Sequence, residues 1–257
     1  MQRISVIDAD SIVWIIGWAV KDNKKDDFGI KEVVQVKCDS LLKSILSTTN
    51  STGYIGVFSE GKSSRYTDYK MAPYKGKRPE KPEWMVEWES FIIDFLRESY
   101  GFFSIPNYEA DDIVAMIAKF PKEETEVVIC SPDKDMKQIP GLHYDYKNSN
   151  FTEVDVVNAT LMSKFLILCG DSADNILGIP GTGEVKAKKL LQECTHETEV
   201  LCPCVQTAYQ KHFGPYYGEV ILKETYNAVN FIDYEDKNSL WKIQTLNKND
   251  LETDLFY

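Results

Sequence analysis

Acidic residues in this chain fall in tight groups. Glu109-Ala110-Asp111-Asp112 places three carboxylates in four residues, Ser131-Pro132-Asp133-Lys134-Asp135 places two at a spacing of two, and Gly170-Asp171-Ser172-Ala173-Asp174-Asn175 places two at a spacing of three. Asp8 closes the run Arg3-Ile4-Ser5-Val6-Ile7-Asp8, and Glu60 follows Val57-Phe58-Ser59. Carboxylates that converge repel one another unless cations sit among them. All-oxygen ligand sets suit magnesium or manganese, and a pair of such ions clamps the attacking water and the leaving oxygen of an in-line phosphodiester displacement. The plainer reading is that Asp111 or Asp112 caps a helix whose dipole stabilises acids in its first turn. A cap needs one carboxylate, and the excess over one points to metal.

Cationic chemistry is concentrated in one stretch. Between Glu60 and Pro82 lie Lys62, Arg65, Lys70, Lys75, Lys77, Arg78 and Lys81 against the acids Glu60, Asp68 and Glu80, a local charge of +4. Tyr66, Tyr69 and Tyr74 are interleaved with them, so the segment could contact phosphates and stack on unpaired bases. Trp84 and Trp88, four residues apart, read as core anchors of the helix that follows. A glycine turn, Gly178-Ile179-Pro180-Gly181-Thr182-Gly183, precedes Lys186, Lys188 and Lys189. Such a turn at a helix N-terminus directs backbone N–H groups at a phosphate. An ordinary glycine turn is the competing reading, and the adjoining lysines favour contact with a duplex backbone.

These groups need a frame that brings them together. Short β-branched runs at residues 3–8, 54–58, 102–105 and 126–130 read as buried strands, and helical periodicity occupies 31–46, 83–100 and 110–119. Strands alternating with helices predict an α/β fold with a mostly parallel central sheet and helices on both faces. In such sheets ligands bind at the carboxyl ends of the strands, which is where the acids fall. From about residue 155 the pattern turns helical, which predicts a core over 1–150, including the basic segment 60–82, and a helical lobe with the C-terminal region over 151–257.

Composition bounds the rest. The 257 residues are 43% hydrophobic, enough for one large domain or two associated ones. No apolar run approaches the roughly 20 residues of a bilayer span, and the N-terminus lacks a signal-peptide pattern, so a cytoplasmic protein with no membrane partner is expected. The six cysteines, at 38, 130, 169, 194, 202 and 204, show no CxxC pair, so reduced thiols rather than zinc ligands or disulfides are expected. The net charge of −11 opposes a nucleic-acid partner on its face, but much of the acidity sits where bound cations would reverse it.

The ordered set Ile7-Asp8, an acid after Val57-Phe58, Tyr74-Lys75-x-x-Arg78, Glu109-Ala-Asp-Asp112, Ser131-x-Asp-x-Asp135, Gly170-Asp-x-x-Asp-Asn175 and Gly178-Ile-Pro-Gly-x-Gly183 resembles the 5′-nuclease superfamily of flap endonucleases and polymerase-associated 5′→3′ exonucleases. The likeness spans roughly residues 4–193, and Cys130–Pro140 and Asn230–Asp233 look closest to compact phage exonucleases of the T-seven type. The resemblance implies a PIN-like core with a helix–three-turn–helix at about 165–193. It implies a phosphodiester hydrolase that removes nucleotides or flaps from the 5′ ends, nicks or flaps of duplex DNA, and RNA primers in hybrids. The setting would be phage replication, primer removal or recombination in the host cytoplasm, beside a replication-protein partner.

By the same resemblance Asp8, Glu60, Glu109, Asp111, Asp112, Asp133, Asp135, Asp171 and Asp174 hold two or three magnesium or manganese ions. Lys75 and Arg78 contact the scissile phosphate and Tyr74 stacks on a base. Arg65, Gly181, Thr182, Gly183, Lys186, Lys188 and Lys189 contact DNA, and the turn holds a potassium ion. Asp8, Asp133, Asp135 and Asp171, with Lys75 and Arg78, carry the catalysis. The chain departs from the family at Ser59-Glu60-Gly61, where aspartate is usual. Two rivals remain: a haloacid-dehalogenase-type phosphatase, suggested by Val6-Ile-Asp8-Ala-Asp10-Ser11, and a non-catalytic DNA-structure-binding protein with a degenerate metal cluster.

Overall fold

The computed structural model describes residues 1–24, 28–192 and 198–245. The expected strands form. β1 (Gln2–Asp8), β2 (Gly53–Phe58), β3 (Phe103–Ser104) and β4 (Thr125–Cys130) are all parallel, joined by β5 (Gly141–Asp145) and, antiparallel at the edge, β6 (Asn150–Val154). The sheet order is β3-β2-β1-β4-β5-β6. β1 and β2 are buried on both faces along most of their length, which is why their sequences read as unbroken apolar runs rather than as an alternation. The order reverses between β1 and β4, and the crevice at such a switch point is the ligand position of this kind of sheet.

Helices α1 (Asp10–Val20), α2 (Ile30–Thr49) and α4 (Glu83–Tyr100) cover one face, and α5 (Ala110–Lys119) covers the other. Along α4 the buried residues are Met85, Trp88, Ile92 and Leu96, a helical stripe, and Trp88 is fully buried as the sequence suggested. Each such side chain contributes roughly 1.5–3 kcal/mol by leaving water. On the opposite face Ile113, Val114 and Ile117 of α5 pack with Ile4, Val6 and Ile55. A short α3 (Arg65–Asp68) lies in the basic segment.

The second lobe begins at α6 (Val156–Cys169) and continues through the small hairpin β7 (Gly170–Asp171) and β8 (Ile176–Leu177), α7 (Glu184–Gln192), α8 (Pro203–Phe213) and α9 (Pro215–Val229). Its own core contains Leu166, Ile167, Val205, Tyr209 and Leu222. The turn after β8 doubles back on the end of α6. A Cβ on Gly178 would lie 2.3 Å from the Gly170 nitrogen and 2.5 Å from the Leu168 oxygen, so only glycine fits there. Ile179 N–H then donates to that Leu168 oxygen at 2.9 Å. The last residue of the expected helix–three-turn–helix, Glu193, lies outside the described residues.

Three expectations are corrected. The sheet runs to Val154, past the boundary at 150, because β6 pairs with β5. The C-terminal region rejoins the core rather than the lobe: Leu240 is buried among the α5-side residues, and Gln244 pairs with Tyr54 of β2. Cys204 is disulfide-bonded, whereas Cys38, Cys130, Cys169 and Cys202 are free thiols as expected, and Cys194 lies outside the described residues. No helix among the described residues is long and apolar enough to cross a membrane.

Candidate metal and phosphodiester site

The carboxyl ends of β1 and β4 deliver the first acids. Asp8, the last residue of β1, is buried; its Oδ2 accepts from Ser131 Oγ at 2.9 Å and its Oδ1 from the Asp10 N–H at 3.2 Å. Burial, with the nearby charges of Asp10 and Asp133, pushes its carboxyl up to about 7. Asp133 caps a 3-10 turn, Lys134–Gln138, and accepts the Asp135 N–H at 2.8 Å. The Asp135 carboxyl is likewise pushed up to about 7, by burial and then by Asp133 and Asp171. Its Oδ1 is buried and has no hydrogen-bond partner.

The N-terminus of α5 delivers the second group. Glu109 is the N-cap and forms a reciprocal capping box with Asp112, so the plainer reading of the motif is partly right. The remaining valence of Glu109 is filled from the basic segment, by Tyr74 OH at 3.0 Å, Lys75 Nζ at 2.9 Å and Ser63 Oγ at 3.1 Å. One ligand atom from each of Glu109, Asp111 and Asp112 falls within 4.8 Å of the others. Burial and the adjacent Asp112 hold the Asp111 carboxyl well above the ordinary range.

The lobe brings the third group. Asp171, at the end of β7, is buried and accepts the Ala173 N–H at 2.9 Å. Asp174 accepts Tyr74 OH at 2.9 Å and is paired with Arg78. Its carbonyl accepts the Lys75 N–H at 2.8 Å, which fixes Lys75 at a φ of 55°. Lys75 is thus clamped between core and lobe. Burial acts to lower its ammonium, but Glu109 and Asp174 outweigh it and hold it above the ordinary lysine range. Asp111, Asp135, Asp171 and Asp174 share one small cavity of about 30 Å³.

Four separate stretches of chain therefore converge on one site, and the donor set is entirely carboxylate. An orphaned oxygen on Asp135 and acids forced toward neutrality are what a site for hard divalent cations shows when the protein's own cations do not balance it.

Several expected roles meet a different environment. Arg65 is only 4% exposed; it grips Asp112 with two bonds, of 2.8 and 2.6 Å, and donates to the Ala228 and Asn230 carbonyls, so it joins α5 to the lobe instead of facing DNA. Asp112 is fully buried and also accepts the Ile232 N–H, which leaves little of it for a metal. Tyr74 is 5% exposed with its hydroxyl on two acids, so its ring is not open to a base. Glu60 is exposed and accepts from Ser104 Oγ at 2.5 Å, on the β3 side. Arg78, Gly181, Gly183, Lys186, Lys188 and Lys189 are exposed, whereas Thr182 is buried with an unpartnered hydroxyl.

Residues outside the expected ligand set complete the site. Ser131 and Ser63 orient Asp8 and Glu109, and Tyr146 donates to the Asp8 carbonyl at 2.7 Å. Ser63 and Tyr146 carry no spacing signal, whereas Ser131 opens the motif Ser131-x-Asp-x-Asp135. Asp10 did carry one, since Asp8-Ala9-Asp10 repeats the spacing of Asp133 and Asp135.

Residues 3–164 match the family described as 5′-3′ exonuclease, N-terminal resolvase-like domain. Flap endonuclease Xni of Shewanella pealeana is 29% identical over 202 residues, covering 75% of this chain and 77% of that protein. DNA polymerase I of Bacillus caldotenax is 27% identical over 208 residues, again 75% of this chain but 23% of the polymerase. Among solved structures, a bacteriophage T5 flap endonuclease in complex with DNA and metal ions superposes with a TM-score of 0.61 at 16% identity, covering 89% of this chain and 98% of that one.

Proposed function

The chain belongs to the 5′→3′ exonuclease family and is a 5′ nuclease, and on that premise we propose that its convergent carboxylates hold two divalent ions, magnesium or manganese, against a phosphodiester at the 5′ end, nick or 5′ flap of duplex DNA. The observation that carries this reading is the cavity shared by Asp111, Asp135, Asp171 and Asp174, with Lys75 seated between Glu109 and Asp174. When bound, such ions neutralise the acids, polarise the phosphoryl oxygens and lower the pKa of the attacking water.

The chain's own residues do the rest. Lys75, held on two sides, brings a fixed positive charge to the scissile phosphate. Arg78, whose side chain is 53% exposed, reaches the same phosphate from the solvent side, with Asp174 restraining it. Outside the site, the exposed Gly181 and Gly183 of the turn and Lys186, Lys188 and Lys189 on α7 contact the phosphate backbone of the duplex, placing the 5′ end over the acids. A potassium ion at that turn, RNA primers in hybrids as additional substrates, a replication-protein partner and a phage replication setting belong to the same proposal.

A 5′-labelled flap and a nicked duplex, each incubated with magnesium and then with EDTA, test it. Labelled 5′ product released only with the metal is the expected result. Binding without release, or release of phosphate from small monoesters in place of 5′ product, would overturn the reading.

A further inference from the structure

Three observations at the end of β2, where Ser59-Glu60-Gly61 stands in place of the aspartate that the resemblance implies, fit together. First, the Glu60 side chain is committed elsewhere. Its backbone is pinned to the β3–α5 connection, with its N–H on the Tyr108 carbonyl at 3.0 Å and its carbonyl accepting the Asn107 N–H at 2.7 Å, and its carboxylate rests on Ser104. Arg97 donates to the same Ser104 hydroxyl at 3.2 Å, so Glu60 sits in an exposed polar cluster at the sheet edge.

Second, the residue before it reaches the opposite way, as adjacent residues of extended chain do. Ser59 N–H donates to Asp10 Oδ1 at 3.0 Å and Ser59 Oγ to Asp10 Oδ2 at 2.5 Å, while the same Oγ accepts the Ala110 N–H at 2.9 Å. Ser59 thereby ties the first turn of α1 to the first turn of α5, the helix that carries Asp111. Third, Asp10 stands beside the acidic site: its N–H donates to Asp8 Oδ1 at 3.2 Å.

We propose that Asp10, oriented by Ser59, supplies the carboxylate that the end of β2 lacks, and that Glu60 stands outside the metal-binding set. An ionised carboxylate has about four lone-pair positions, and Ser59 occupies two of them, so Asp10 keeps acceptor capacity for a cation or for a water bound to one. The bonds from Ser59 also fix the carboxylate plane, as supporting hydrogen bonds do for metal ligands generally. The longer glutamate at 60 is then free to leave because the shorter aspartate, arriving from α1, takes over.

This inference rests on the metal-dependent nuclease reading, and manganese titration of the purified full chain separates the two. Free Mn²⁺ is followed by electron paramagnetic resonance in wild type, Asp10→Asn, Ser59→Ala and Glu60→Gln, with melting in EDTA confirming that each variant is folded. Asp10→Asn is expected to weaken one class of bound Mn²⁺ by at least about tenfold, with Ser59→Ala weakening the same class by less and Glu60→Gln staying within about twofold of wild type. Ser59→Ala reads the same carboxylate without removing its charge, so the test survives a poorly folding Asp10→Asn. Wild-type Mn²⁺ binding in both Asp10→Asn and Ser59→Ala, or its loss in Glu60→Gln, would overturn the inference and leave the nuclease reading intact. A wild-type chain that binds no Mn²⁺ would overturn both.

Discussion

The two halves of the acidic site solve the same electrostatic problem in opposite ways. At the N-terminus of α5, Glu109 and Asp112 are buried with protein cations and donors: Arg65 on Asp112, and Lys75, Tyr74 and Ser63 on Glu109. At the strand ends, Asp8 and Asp135 are held by serine and backbone donors or by none, and both are pushed up to about 7. In the α5 half, Glu109 and Asp112 are neutralised by the chain itself and act as scaffold, while Asp111 beside them is held well above the ordinary carboxylate range. The other half is left in electrostatic debt to a cation that must come from outside, and Lys75 bridges Glu109 of the first half to Asp174 of the lobe.

If that division is right, the largest effect on stability comes from the self-neutralised half. Arg65→Ala leaves Asp112 buried and unpaired, and removing one partner of such a pair costs about 3–5 kcal/mol. Arg65→Lys should recover only part of the loss, because an ammonium cannot reproduce the two-pronged grip on Asp112. Chemical denaturation with and without magnesium measures this. A cost below about 1 kcal/mol would erase the distinction between the halves.

The strand-end half predicts the reverse pattern. Asp135→Asn should lower turnover by roughly 10²–10³-fold, the scale of losing one transition-state-stabilising group, while raising the melting temperature in EDTA by removing a charge that Asp133 and Asp171 repel. Activity and stability then move in opposite directions within one variant. If Asp135→Asn melted lower than wild type in EDTA, the carboxylate would be structural and the comparison would fail.

How much of this was legible beforehand follows the same line. The helices over 83–100 and 110–119 are readable to the residue, the first from one apolar stripe ending at the Gly101 cap, the second from the acidic cap at Glu109 before an apolar run. α1 was not: its apolar residues cover more than one face, with Trp14 and Trp18 partly exposed, so it showed only as a short hydrophobic run. β6 was missed because most of its side chains are exposed and polar. Within the site the acids were visible as motifs, since spacing along the chain is what a motif records. The pairing of Arg65 with Asp112 spans 47 residues of sequence, and no local pattern distinguishes a lysine or arginine bound for the core from one bound for a phosphate. For that reason Arg65 and Tyr74 read as DNA-facing along with Lys75 and Arg78, although both turn inward.

The smallest expected effect, and the most direct measure of the debt, is the dependence of stability on pH. Asp8 and Asp135 ionise near 3.8 when unperturbed and near 7 in the fold. A carboxyl raised on folding binds more protons in the native state, so its contribution is fully present below about pH 4 and is lost as pH rises through 7. In EDTA the melting temperature should therefore fall between about pH 4 and 7, and for a chain of this size a change of about 1 kcal/mol corresponds to roughly 2–4 °C. Magnesium at saturating concentration should flatten the slope at its alkaline end, because a ligand that binds only the native state stabilises it, and these carboxylates accept the ion when deprotonated. Asp135→Asn should flatten the same slope without magnesium, whereas Arg65→Lys, acting on the half that needs no outside cation, should shift the whole curve down and leave its slope unchanged. A wild-type slope that magnesium does not alter would mean that the strand-end carboxylates are satisfied by the protein after all.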